Sequence, residues 1–142
     1  MRIPEEAIVA AADRFAREKG HPVDEFEASE IQRFGLDDCD LEQLATFLKQ
    51  MIVEDDWSEE GFRASAYWAL GKKYDAELLA FFRKQLAIEV QRDLGSTFQI
   101  LIALDNLDEA VFSKSRNGQF SVLDEELNKL DAKAYLEAST SS

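Results

Sequence analysis

The stretch Asp38-Cys39-Asp40-Leu41-Glu42-Gln43 opens like a calcium-binding loop, with carboxylates at alternate positions. Such a loop needs a glycine at its sixth position for the sharp turn and a bidentate glutamate at its twelfth. Gln43 and Lys49 stand at those positions, so no calcium site is expected. His21 is the sole histidine and Cys39 the sole cysteine. A Cys/His zinc site needs more such ligands than one chain of this kind owns, and an intrachain disulfide is impossible. A nucleophilic serine or cysteine would need His21 as its base. His21 precedes Pro22 in an expected loop, and neither Cys39 nor any serine sits in a glycine-flanked elbow. Glycine-rich phosphate loops are absent. Paired acids can run glycoside hydrolysis, but 29 acidic residues make some pair inevitable and none diagnostic. The chain therefore reads as a non-enzyme with no cofactor and no metal.

What stands out is where the acids lie. Residues 1–62 hold 17 acids against 6 bases, whereas residues 63–142 hold 12 against 10. Asp37, Asp38 and Asp40 gather before one expected helix, and Glu54, Asp55, Asp56, Glu59 and Glu60 before the next. Helix N-termini favour acids, which accounts for Asp40, Glu59 and Glu60 locally. The rest make a negative surface that would steer a basic protein and fix its register. The expected partner-binding set is Asp37, Asp38, Asp55, Asp56, Trp57, Glu59 and Glu60, with Trp57 as an aromatic anchor. Turns two connections apart in stacked hairpins lie on one edge, so both clusters are expected to share a face. The net charge of −13 excludes a generic binder of the phosphate backbone, which needs a basic surface.

These acids must be positioned by helices. The chain has 142 residues, 46% of them apolar, with only 2 Pro and 6 Gly, which suits one helical domain and not a turn-rich sheet. Pro4 fits a first helical turn, Ile8, Ala11, Ala12 and Phe15 recur at helical spacing, and Gly20 ends the element. Asp24 caps a short helix carrying Phe26, Ile31 and Phe34, closed by Gly35. Asp40 caps a helix whose stripe is Leu41, Leu44, Ala45, Leu48, Met51 and Ile52. Ser58 is the expected cap of a helix holding Phe62, Ala66, Ala69 and Leu70, stopped by Gly71, and Asp75 of one holding Leu78, Leu79, Phe82 and Leu86. Residues 88–104 read as one long helix softened at Gly95, and a short helix is expected from Asp108 to about Ser113. After an Asn117-Gly118 turn, Ser121 and Asp124 cap a last helix whose stripe is Leu123, Leu127, Leu130 and Ala134. The expectation is an all-α fold of six to eight short helices, a single domain over 1–137 and a frayed tail over 138–142.

The segment Trp68-Ala69-Leu70-Gly71-Lys72-Lys73-Tyr74-Asp75 parallels Ile102-Ala103-Leu104-Asp105-Asn106-Leu107-Asp108, with 34 residues between the Ala-Leu pairs and 33 between the aspartates. That period indicates a helix-turn-helix unit and its copy. Residues 57–113 here resemble HEAT-like α-solenoid repeats, with Arg63 in the family's basic position of the first helix. The resemblance implies stacked helical hairpins and a binding scaffold without fixed functional residues. The stretch Gln99–Leu107 is also loosely similar to small bacterial helical immunity proteins, which implies a protein that binds and neutralises a toxin domain, here a basic one.

The leading expectation is thus a protein-protein interaction module of the immunity type. The alternatives are an adaptor domain that holds a peptide or self-associates, a homodimer among them, and an acidic mimic of nucleic acid. No apolar segment approaches the ~20 residues of a membrane helix, and no signal-peptide h-region follows Met1, so neither a membrane nor a nucleic acid is an expected partner, and the cytoplasm is the expected compartment.

Overall fold

The computed structural model describes residues 3–59 and 61–140. Among them are seven α-helices and no strand: α1 (Ile8–Glu18), α2 (Glu25–Arg33), α3 (Leu41–Glu54), α4 (Gly61–Gly71), α5 (Leu79–Glu89), α6 (Leu94–Asn106) and α7 (Glu125–Thr140). Short 3-10 turns precede α1 at Glu5–Ala7 and α5 at Ala76–Leu78, and a third spans Lys114–Arg116. The chain divides into two compact units, Met1–Lys73 and Tyr74–Ser142. The division falls at Tyr74, whose φ of 51° is left-handed and stops helical continuation.

In the first unit α1 packs against α2 and α4, and α3 packs against α4. Ile8, Ala11, Ala12 and Phe15 supply the buried face of α1, Leu44, Leu48 and Ile52 that of α3, and Ala66, Tyr67, Ala69 and Leu70 that of α4. The starts are capped as the residue types require. Asp24 accepts from the Glu27 amide while Glu27 accepts from the Asp24 amide, a reciprocal capping box. Asp40 accepts from the Glu42 and Gln43 amides. The Ser58 cap is a correction. Its amide and hydroxyl both donate to the Glu5 carboxylate, and α4 starts later, at Gly61.

In the second unit α6 lies against both α5 and α7, and its buried residues accordingly cover more than one stripe. The long helix expected over 88–104 is two helices. Glu89 ends α5 with its carboxylate fully buried on Arg92 (2.7 Å), and Asp93 then caps α6 through the Gly95 and Ser96 amides. Gly95 is therefore a first-turn residue, where its flexibility does little harm. The helix expected from Asp108 is absent. Asp108 adopts φ 64°, and residues 107–113 form turns that lead to Lys114–Arg116.

The largest surprise is the rotation of α7. Its expected core stripe faces out, with Leu123 85%, Leu130 61% and Leu127 46% exposed. Asn128, Ala132 and Tyr135 are buried instead. The cause is polar. The Arg116 guanidinium is buried and donates to Asn128 (2.9 Å) and Asp131 (3.0 Å), while Asn128 donates to the Ser121 carbonyl (2.9 Å). Phe112 and Phe120 stack on each other at 3.9 Å between ring centres, and both lie within 5.4 Å of the Arg116 guanidinium. A second clamp joins α5 to α7. Arg83 donates to the Tyr135 hydroxyl (2.8 Å) and to Glu109 (2.7 Å), and Tyr135 donates to Glu109 (2.6 Å). The hydroxyl and guanidinium hold Glu109 below the usual carboxylate range. Helix α7 also continues through Ala138 to Thr140, with the Ser139 hydroxyl on the Tyr135 carbonyl; positions 141–142 of the expected frayed tail lie outside the described residues.

Removing one partner of a buried charged network leaves the others unpaired, which costs roughly 3 kcal/mol or more. Arg116→Ala is expected to lower the unfolding free energy by about that amount. Asp124→Asn, which touches Arg116 only from an exposed position at 3.5 Å, should change it by less than about 1 kcal/mol. Urea denaturation of both variants checks the contrast.

Candidate functional site

The acidic residues singled out in the sequence are placed at the two ends of α3. Asp37 and Asp38 precede it, and Asp55, Asp56, Trp57 and Glu59 follow it. Fourteen residues at 1.5 Å each put about 21 Å between the clusters. The face they were expected to share would have to run the whole length of α3. Within each cluster the roles separate. Asp37 pairs with Arg17 at 3.3 Å, and Asp55, at φ 54°, ends α3 and pairs with the buried Arg63 at 3.1 Å. These two stabilise the fold. Asp38, Asp56 and Glu59 are exposed. Glu60 lies outside the described residues.

Trp57 is half-buried and its indole nitrogen is buried without a hydrogen-bond partner. It borders a hollow of about 170 Å³ shared with Ile3, Pro4 and Met51 and rimmed by Glu5, Glu54 and Asp56. The Ser58 hydroxyl and amide keep the Glu5 carboxyl ionised below its ordinary range. The hollow thus combines an apolar wall with a negative rim.

A second and larger hollow, of about 270 Å³, lies between α1 and α2. Its apolar wall is Val9, Phe26 and Phe34, of which Phe26 is 72% exposed. Around that wall stand Glu6, Asp13, Glu27 and Glu30, with Arg33 the one base among the described residues that line it. Arg33 is occupied by Glu30 at 3.0 Å and by the ring of Phe34 at 4.7 Å. Asp13 is pushed up to about 6, first by burial and then by the charge and hydrogen bond of Glu27. A carboxyl group that burial and the Glu27 carboxylate push up to about 6 makes a seat for a cation: an ammonium or guanidinium arriving there offsets the unfavourable charge of Asp13 and gains both carboxylates. The apolar wall suits the methylene stem of a lysine or arginine.

Sequence reasoning missed this groove. Phe26 and Ile31 lie five residues apart, about 140° around α2, so one inner face cannot take both; Ile31 is fully buried and Phe26 is left outside. Asp13 interrupts the Ala10-Ala11-Ala12 run on a helix that is otherwise packed, and an acid beside so small a face is the available signal. No metal or cofactor is implied by these groups. No known family model matches the chain, and comparison with curated proteins and with solved structures gives no match.

The position of Asp13 has a consequence for stability. Its folded pKa, about 6, lies above its ordinary 3.8, so the fold favours the protonated form. That contribution is complete below about pH 4 and is lost as pH rises through about 6. Asp13→Asn, permanently neutral, is expected to melt higher than the natural chain at pH 8 and to show no difference near pH 4. Thermal melts of the two proteins from pH 4 to 8 read this out. A variant that melts lower at pH 8 would remove the strained carboxylate from the description.

Proposed function

We propose that this chain is a protein-protein interaction module that docks a basic polypeptide on its first unit. More sharply, we read it as an inhibitor of the immunity type that neutralises a basic toxin domain, with residues 57–113 built as HEAT-like hairpins. The observation that carries the docking reading is the α1–α2 groove: exposed Phe26 beside Asp13, Glu27 and Glu30. The acid-rimmed hollow at Trp57 supports it from the far end of α3. Both take the same ligand chemistry, a cation on an apolar stem. Successive helices pack within each unit, α3 on α4 and α5 on α6, and Asp75 starts the element that follows α4 as the repeat pattern asks, whereas its counterpart Asp108 starts no helix. The acids do two things for such a partner. They raise its encounter rate at low salt, and they fix which of its basic residues enters which hollow.

The test begins with capture of partners by the tagged full chain from its native host, at about 0.05 M and again at about 0.5 M salt, which shortens the screening length about threefold. A basic protein held at one-to-one stoichiometry and weakened by salt is the expected catch. Its affinity should fall at least about tenfold in Asp38→Lys/Asp56→Lys/Glu59→Lys and in Phe26→Ser, none of which touches an ion pair of the fold. Its affinity should also rise between pH 5 and 7 as Asp13 loses its proton. A partner bound equally by all these variants would overturn the acidic hollows as the interface. Loss of the toxin's activity on binding tests the inhibitor reading separately.

A further inference from the structure

Helix α7 shows an apolar stripe to solvent, and its flanking charges specify what covers it. Leu127, Leu130 and Ala134 follow one another at spacings of three and four along its exposed side, with Leu123 just before the helix continuing the row. Rows of that spacing are the seam by which two helices pack. Along one flank of the row run Glu126 and Lys133, both exposed and neither in an ion pair among the described residues. Along the other run Asp124 and Asp131, and Arg116 of the same chain holds both, at 3.5 and 3.0 Å.

We propose that this face pairs with the same face of a second copy of the chain, the two α7 helices antiparallel about a two-fold axis. The register follows from the row itself. With Leu127 opposite Leu130 of the second copy, Leu123 falls opposite its Ala134, so every layer of the seam is apolar. In that register Glu126 meets Lys133 of the second copy, and symmetry makes the pair twice. The other flank brings Asp124 toward Asp131 of the second copy, and each chain's Arg116 already neutralises part of that charge. A parallel pairing sets Glu126 against Asp131 and leaves Lys133 facing Ala138, with no attractive pair at all. The charge pattern therefore selects the antiparallel homodimer. An α7 of 16 residues, about 24 Å long, covers less than the roughly 1,200 Å² of a tight interface, so the dimer is weak and concentration-dependent. It lies in the second unit and makes no use of the acidic hollows of the first.

Sedimentation equilibrium of the full chain, over roughly three decades of concentration from micromolar to millimolar, measures the dimer. The natural chain is expected to pass from monomer to dimer in that range. Leu130→Glu should remain monomeric throughout with an unchanged circular dichroism spectrum, since the side chain it replaces is 61% exposed. Lys133→Glu should weaken association by about tenfold at low salt, because two attractive pairs become repulsive. The double exchange Glu126→Lys/Lys133→Glu restores opposite charges in the antiparallel register alone and should return the affinity to within about threefold of the natural value. A natural chain that is monomeric at every concentration overturns the proposal. So does a dimer indifferent to Leu130→Glu, or one that Lys133→Glu weakens and the exchange fails to restore.

Discussion

A guanidinium taken out of water governs the second unit. Arg116 brings a charge that must be met wherever it is buried. Asn128 and Asp131 meet it from α7, one turn apart, and Phe112 and Phe120 shield it from solvent. Once those two residues face inward, the rest of α7 has no freedom of rotation. Ala132 and Tyr135 follow them into the interior, and the leucines, about a quarter of a turn or more away, are carried outside. The long connection from Leu107 to Asp124 is ordered by the same contacts, since Arg116 sits at its middle and Ser121 receives Asn128. Hydrophobic burial alone would turn the helix the other way, because two or three leucines are each worth about 1.5–3 kcal/mol when buried.

The first unit is ruled by a milder constraint. Its helices are short, and in α2 the two large side chains Phe26 and Ile31 lie about 140° apart around the axis, so one inner face cannot take both. Ile31 goes in and Phe26 stays out. Caps fix where each helix begins: Asp24 and Glu27 for α2, Asp40 for α3. The acids left over after capping and pairing collect around the residual apolar surface, because the same short loops and first turns supply both. The hollows are in that sense a by-product of building a unit from short acidic helices, and their shape suits cationic side chains for the same reason.

The fold class and most helix starts were legible in the sequence because they are local. An aspartate before an apolar run caps a helix whatever lies elsewhere, and Asp24, Asp40 and Asp75 all do so. Gly20 and Gly35 take the left-handed conformations that end α1 and α2. What the sequence concealed depends on partners distant along the chain. The neighbours of Ser58 point to a cap, but Glu5, 53 residues away, claims it. The stripe on α7 obeys helical periodicity faithfully, and periodicity says only that a face is apolar, not that it turns inward. A lone Arg116 in a polar loop carried no sign that it would be buried. The acidic clusters lie at the two ends of α3, and the length of that one helix sets their separation.

The way α7 is fastened also bears on how the unit opens. Its inner face is mixed, with Asn128, Ala132 and Tyr135 buried and Leu136 half-buried beside them. Its hold comes from a few directional bonds that break together: Arg116 to Asn128 and Asp131, and Tyr135 to Glu109 and Arg83. Detachment is therefore an abrupt event, one that leaves α5 and α6 paired. Amides in α7 and in the loop from Leu107 should exchange with solvent as a single cooperative group, ahead of the rest of the unit.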